Sequence, residues 1–148
     1  MSFEIKVSLK DEAVKKKLQE LLTKVSDTKP LLNQIGHTLI DQTEENFEDE
    51  SFFGKPWTIS KRAELEGGKT LQDTARLASS IDYEVSGSKL TVGTNVEYAA
   101  IHQFGGKAGR GKKTVIEARE FLPIDSDTKE LPKESEDEIL EVVMSFFT

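Results

Sequence analysis

The apolar positions change period along the chain, and the changes mark the elements. Residues 2–9 alternate strictly: Phe3, Ile5, Val7 and Leu9 face one way and Ser2, Glu4, Lys6 and Ser8 the other, the period of a half-buried strand. Val14, Leu18, Leu21, Leu22 and Val25 then recur at spacings of three and four, which predicts a helix with one apolar stripe. Asp11 and Glu12 stand at its start, where the helix dipole favours negative charge. Pro30 suits the first turn of a second helix. On it Leu32, Ile35, Leu39, Ile40, Thr43 and Phe47 fall on one side, and His37, Asp41, Glu44, Glu45 and Glu48 on the other. Gly36 lies on the apolar side. It costs a helix interior about 1 kcal/mol against Ala, so close packing of another backbone or ring is its expected reason.

Periodicity is lost over residues 50–70, which contain Gly54, Pro56, Gly67 and Gly68 together with Phe52, Phe53 and Trp57. A long mobile loop is the expectation there. Residues 73–80 form a short helix capped by Asp73. Ile81, Tyr83 and Val85 alternate with Asp82 and Glu84, and Leu90 and Val92 follow a Gly87-Ser88 turn. A type II′ turn there sets Val85 opposite Leu90 and Tyr83 opposite Val92, which puts all four on one face. Thr94 to Glu97 has the spacing of a capping box for a short buried helix holding Tyr98 and Phe104, ended by Gly105-Gly106. Residues 105–114 form a second mobile, basic loop. Val115 to Leu122 read as a third strand that Pro123 stops. Ile139, Leu140, Val142, Val143, Phe146 and Phe147 make a C-terminal helix whose wide apolar arc is buried on two sides, by the body or by a neighbouring subunit. The expected fold is α+β, in one domain over 1–148. A small antiparallel sheet made of the 81–94 hairpin, the 115–122 strand and residues 2–9 packs against the long amphipathic helix.

Charge adds asymmetry. The 148 residues carry 20 basic and 27 acidic groups, net −7, which excludes whole-body electrostatic affinity for nucleic acid. Residues 105–124 are nonetheless net +3, between a body (1–104) of net −4 and a tail (125–148) of net −6. With no cysteine, disulfides, thiolate metal sites and cysteine nucleophiles are excluded, and a reducing cytoplasm suits the chain. The opening MSFEIKVSL alternates where a signal peptide would run apolar, and no stretch nears the ~20 apolar residues of a membrane span.

Candidate chemistry is thin. His102 has the titration range of a base, but no nucleophile elbow or cysteine accompanies it, so it is expected to pack or hydrogen-bond against the glycine turn. His37, Asp41 and Glu45 share a helix face at metal-ligand spacing; no second histidine joins them, and a polar face opposite an apolar one carries such charges anyway. No catalytic, cofactor or metal residue is assigned. Lys107, Arg110, Lys112 and Lys113 could grip DNA, or could form an arm that pairs with an acidic neighbour. The net charge of the chain favours the protein contact. Phe52, Phe53 and Trp57 are either core anchors or interface anchors. Arg119 suits a carboxylate partner.

Two stretches are distinctive. One is Leu71-Gln72-Asp73-Thr74-Ala75-Arg76-Leu77-Ala78-Ser79-Ser80-Ile81. The other is Val92-Gly93-Thr94-Asn95-Val96-Glu97-Tyr98-Ala99-Ala100-Ile101-His102-Gln103-Phe104-Gly105-Gly106. Together with Gly54, Trp57 and the later Ile116-Glu117-Ala118-Arg119-Glu120-Phe121-Leu122, they resemble the tail-completion or virion morphogenesis family of Mu-like phages and prophages over roughly residues 30–125. Asp73, Gly93, Tyr98, Ala99, His102, Gln103, Gly105, Arg119, Phe121 and Leu122 match its pattern. Ala75 stands where glycine is usual, and Glu117 and Glu120 replace prolines. The resemblance implies a structural protein with no reaction. It would sit at the neck or head-proximal end of the tail, complete the tail or join it to the head, assemble as a ring and end in the virion after assembly in the host cytoplasm. Its implied partners are the tail tube or its terminator, or the head–tail connector. A connector component that touches DNA through residues 107–113 is the alternative.

Overall fold

A computed structural model describes residues 27–58, 76–87, 89–96, 98–112, 114–128 and 130–146, with single positions at Glu12, Lys16, Gln19, Glu20, Thr23 and Leu65. The 2–9 strand, the cap Asp73, Glu97 and Lys113 lie outside the described residues. Glu12, Lys16, Gln19 and Glu20 have helical backbone, in keeping with the first expected helix, and the rest of that helix also lies outside.

The organising element is α1, Lys29–Asp49. Pro30 stands in its first turn as expected, and the Asp27 carboxylate accepts the Lys29 N–H at 3.1 Å. Leu31, Ile35, Leu39 and Phe47 are buried along one side, and His37, Asp41, Glu44, Glu45 and Glu48 are exposed along the other. The buried side also holds Thr38, Gln42, Thr43 and Asn46. A two-residue hairpin follows, β1 (Ser51–Phe52) against β2 (Lys55–Pro56). Phe53 (φ 49°) and Gly54 (φ 88°) form its turn, the two positive φ values of a type I′ loop. The first nine residues of the expected 50–70 loop are therefore mostly a tight hairpin, because Asn46 Oδ1 and Ser51 Oγ accept the turn's N–H groups at 3.0 and 3.3 Å.

Helix α2 (Arg76–Ser80) leads into β3 (Asp82–Ser86), paired antiparallel with β4 (Lys89–Gly93). The register is the expected one, Tyr83 opposite Val92 and Val85 opposite Leu90. Gly87 has φ 59°, and Ser88, which would fix the turn type, lies outside the described residues. This hairpin packs on α1, and Gly36 permits it: a Cβ there would lie 2.5 Å from Tyr83 Cδ2.

Helix α3 (Ala99–Phe104) begins later than the capping-box reading places it. Thr94 Oγ1 does accept the Val96 N–H (3.1 Å), but this closes a local turn and meets Ser80 Oγ at 2.5 Å; it does not cap α3. Tyr98 precedes α3 and is 39% exposed, not in the core. The basic stretch is a hairpin arm, not a loop: β5 (Gly106–Ala108) pairs with β6 (Thr114–Ile116) across a 3₁₀ turn at Arg110–Lys112. The strand expected over 115–122 ends at Ile116. Gly105 terminates α3 directly before β5, so β6 has a partner for three residues only. Residues 117–124, here called the strap, continue without a ladder.

The last element, α4 (Lys133–Phe146), lies on α1. Ile139 and Val143 enter the core with Leu131, Phe121, Leu122, Leu77, Val92, Val96 and Ala99. Gln42 ties the two helices: it accepts from Ser135 Oγ–H (2.6 Å) and donates to Glu138 Oε2 (2.7 Å). The architecture is α+β as expected, but the strands form three separate hairpins among the described residues, not one sheet.

Candidate functional site

Five of the signature residues, Gln103, Gly105, Arg119, Phe121 and Leu122, meet at the strap. Without a neighbouring strand, its backbone needs other partners, and side chains from three elements supply them. Gln103, on α3 and fully buried, accepts the N–H groups of Phe121 (3.0 Å) and Leu122 (2.9 Å) on Oε1 and donates Nε2 to the Ile124 carbonyl (2.9 Å). One amide thus fixes a four-residue stretch. Asn46 on α1 donates to the Phe121 carbonyl at 3.1 Å while holding the β1–β2 turn with its other end. Trp57 donates its indole N–H to the Glu120 carbonyl at 2.9 Å. The Arg119 N–H donates to the His102 carbonyl at 2.7 Å.

These bonds seat Phe121 and Leu122, both 0% exposed, in the core. Phe47 packs between Phe121 and Trp57, with ring centroids 5.3 Å from Phe121 and 5.8 Å, edge-on, from Trp57. Gly105 serves the same junction. Its φ is 73°, and a Cβ would come within 2.9 Å of the Ala118 N and 3.0 Å of the Ile116 carbonyl oxygen. Glycine is required there by space and by backbone alike. Ala99 is buried in the core and Gly93 ends β4. Glu120, in place of a family proline, accepts the Ser126 N–H at 3.0 Å.

His102 faces Tyr98 edge-on, ring centroids 5.6 Å apart. Its Nδ1 is buried without a hydrogen-bond partner among the described residues, so the ring packs and does not bond to the glycine turn. Burial first, and the Arg119 charge second, hold its pKa below the ordinary 6.5. Arg119 donates Nε to the Thr58 carbonyl at 2.7 Å, a backbone partner where a carboxylate was expected. His37, Asp41 and Glu45 do not form a metal cluster, since among the described residues no three His, Asp or Glu groups stand together to hold an ion. His37 lies edge-on to Tyr83 at 5.1 Å.

The loop aromatics separate. Phe52 is buried and Trp57 half-buried with its N–H engaged, so both anchor the body; Phe53 is half-buried and stacks edge-on over Phe52 at 4.9 Å. The arm is different. Lys107, Arg110, Gly111, Thr114 and Val115 are all exposed, Val115 by 69%. Lys107 and Arg110 have no ion-pair partner among the described residues. The site is therefore a hydrogen-bonded root, built from α1, α3, the β1–β2 hairpin and the strap, carrying a charged arm. Sequence reasoning found Gln103 through the motif but missed Gln42 and Asn46. Their one signal is position, i and i+4 beside the apolar stripe of α1.

No helix among the described residues is long and apolar enough to cross a membrane. No solved structure matches the chain. A protein of Haemophilus influenzae named Mu-like prophage FluMu G protein 2 is 39% identical over 131 residues, which cover 88% of this chain and 86% of that protein. Residues 9–148 match the phage virion morphogenesis family. With the match spanning nearly the whole chain, including the strap and its buried glutamine, the chain belongs to the phage virion morphogenesis family.

Proposed function

We propose that the chain is a structural part of the virion that completes the tail or joins it to the head, by assembling into a ring and without catalysing a reaction. One observation carries this reading. The signature residues Gln103, Phe121, Leu122 and Gly105 build an internal lock, while the adjoining arm exposes Lys107 and Arg110, which have no ion pair among the described residues. A catalytic site is the reverse: reactive groups converge on a space that admits substrate. Here the histidine ring is packed against Tyr98, and its buried Nδ1 has no hydrogen-bond partner among the described residues.

The partners in this reading are the tail tube, its terminator or the connector, and the place of assembly is the host cytoplasm. Excising residues 107–113 from a propagating phage should leave the protein folded, with an unchanged thermal melt, and stop tails from joining heads. Normal virions from that deletion would overturn the reading. The same exposed cations support contact with DNA as a second reading. Its mark is an affinity for duplex DNA that falls steeply with salt and is lost in the Lys107→Glu, Arg110→Glu variant.

A further inference from the structure

The fold leaves two charged surfaces unsatisfied in one chain. From Tyr98 to Ile116 there is no acidic residue, and the arm exposes Lys107 and Arg110 without partners among the described residues. The exposed positions of the α1–α4 pair are largely acidic. Asp41, Glu44 and Glu45 are exposed on α1, and Glu134, Glu138 and Glu141 are exposed on α4. The Gln42–Glu138 bond sets Glu138 of the α4 row against α1, one turn before Glu45 of the α1 row.

That face is electrostatically poor for an isolated subunit. Asp41 and Glu45 are i, i+4 neighbours, as are Glu134 and Glu138, and like charges at that spacing repel. No basic residue stands in the last turn of α1, where the dipole would favour one. Asp41, Glu44, Glu45, Glu134 and Glu141 have no ion pair among the described residues. Neither set of charges is ion-paired among the described residues of its own chain, so the two can pair between copies.

We propose that the β5–β6 arm of one copy docks on the outer face of the α1–α4 pair of the next, with Lys107 and Arg110 against Asp41, Glu44 and Glu45. The contact is heterologous, arm to helix face, and such a contact closes into a ring when its rotation permits. It rests on the ring-assembly reading above and names the surfaces that reading needs. The arm's own pairing favours it: β5 and β6 are laddered and close-packed at their base by Gly105 and the Arg119–His102 backbone bond, so the cations sit on an element already formed, which lowers the entropic cost of association.

Charge reversal with complementation tests it. Two variants are made, Lys107→Glu with Arg110→Glu, and Asp41→Lys with Glu45→Lys; all four positions are exposed, and circular dichroism checks that each variant folds. Mass is followed by light scattering across concentration, alone and with isolated tails. Each variant should need about tenfold more protein than the wild type to assemble. An equimolar mixture should recover assembly, because each reversed arm then meets a reversed face. Added salt should weaken wild-type assembly, since exposed pairs are screened over about 10 Å at 0.1 M. Variants that assemble like the wild type would overturn the docking and leave the ring standing. An arm variant that assembles normally but loses duplex DNA binding would do so too, and would assign the arm to DNA. A wild type that stays monomeric throughout would overturn the ring and the docking with it.

Discussion

Gln103 shows how one side chain can replace a strand. Its amide satisfies two N–H groups and one carbonyl of the strap in a site closed to water. Gln103→Ala should therefore remove about 3 kcal/mol or more, because two buried N–H groups and one part-buried carbonyl lose their partners together. Urea denaturation reads that loss, and a change under about 1 kcal/mol would mean water replaces the amide. His102 makes a pH prediction of definite sign. Its folded pKa lies below 6.5, so the unfolded chain binds the proton more readily. Its contribution is complete above 6.5 and is lost as pH falls through the lowered folded value. Stability should drop between neutrality and mild acid, and His102→Gln should flatten that drop. Asp125 acts in a separate window. The backbone N–H of Thr128 is the main cause of its lowered pKa, and its contribution is lost only as pH falls below 3.8. The chemistry of Gln103 was not readable from hydropathy, which treats any glutamine as surface; the motif around it was the signal.

Among elements, the best-read was the β3–β4 hairpin, where turn glycine, alternation and facing apolar pairs all specify one register. Next was α1, with its proline start and its one-sided stripe. The arm and the strap depart from their sequence patterns in opposite directions. The arm lacks apolar alternation because both its faces are wet, so nothing in its sequence distinguishes a hairpin from a loop. The strap has strand-like composition because Phe121 and Leu122 are buried, but its hydrogen bonds come from side chains distant in sequence. Between α1 and β3, Gly36 yields a prediction against ordinary propensity. Gly→Ala in a helix usually stabilises by about 1 kcal/mol. Here the added methyl would strike the Tyr83 ring, and Gly36→Ala should cost about 1–3 kcal/mol through overpacking. Combining it with Tyr83→Val should return part of the loss, as a double-mutant cycle of urea midpoints would show.

At the scale of the molecule, the parts are assembled around α1 and closed by polar ties, Gln42 to α4 and Asn46 to the strap. The segregation of charge along the sequence has a spatial counterpart: cations on the arm, anions on the helix pair. The sequence shows the segregation only as a basic segment before an acidic tail. The role of the acidic row on α1 was not legible there, because on a lone helix it reads as a solvated face. The chain's one tryptophan stands where these parts meet, its ring against Phe47 of α1 and its N–H on the strap. Its fluorescence is therefore a built-in reporter of whether the molecule is closed. Emission should move to longer wavelength when the strap lifts from the body, so subunits drawn from growing particles could be sorted into locked and unlocked forms without any dye.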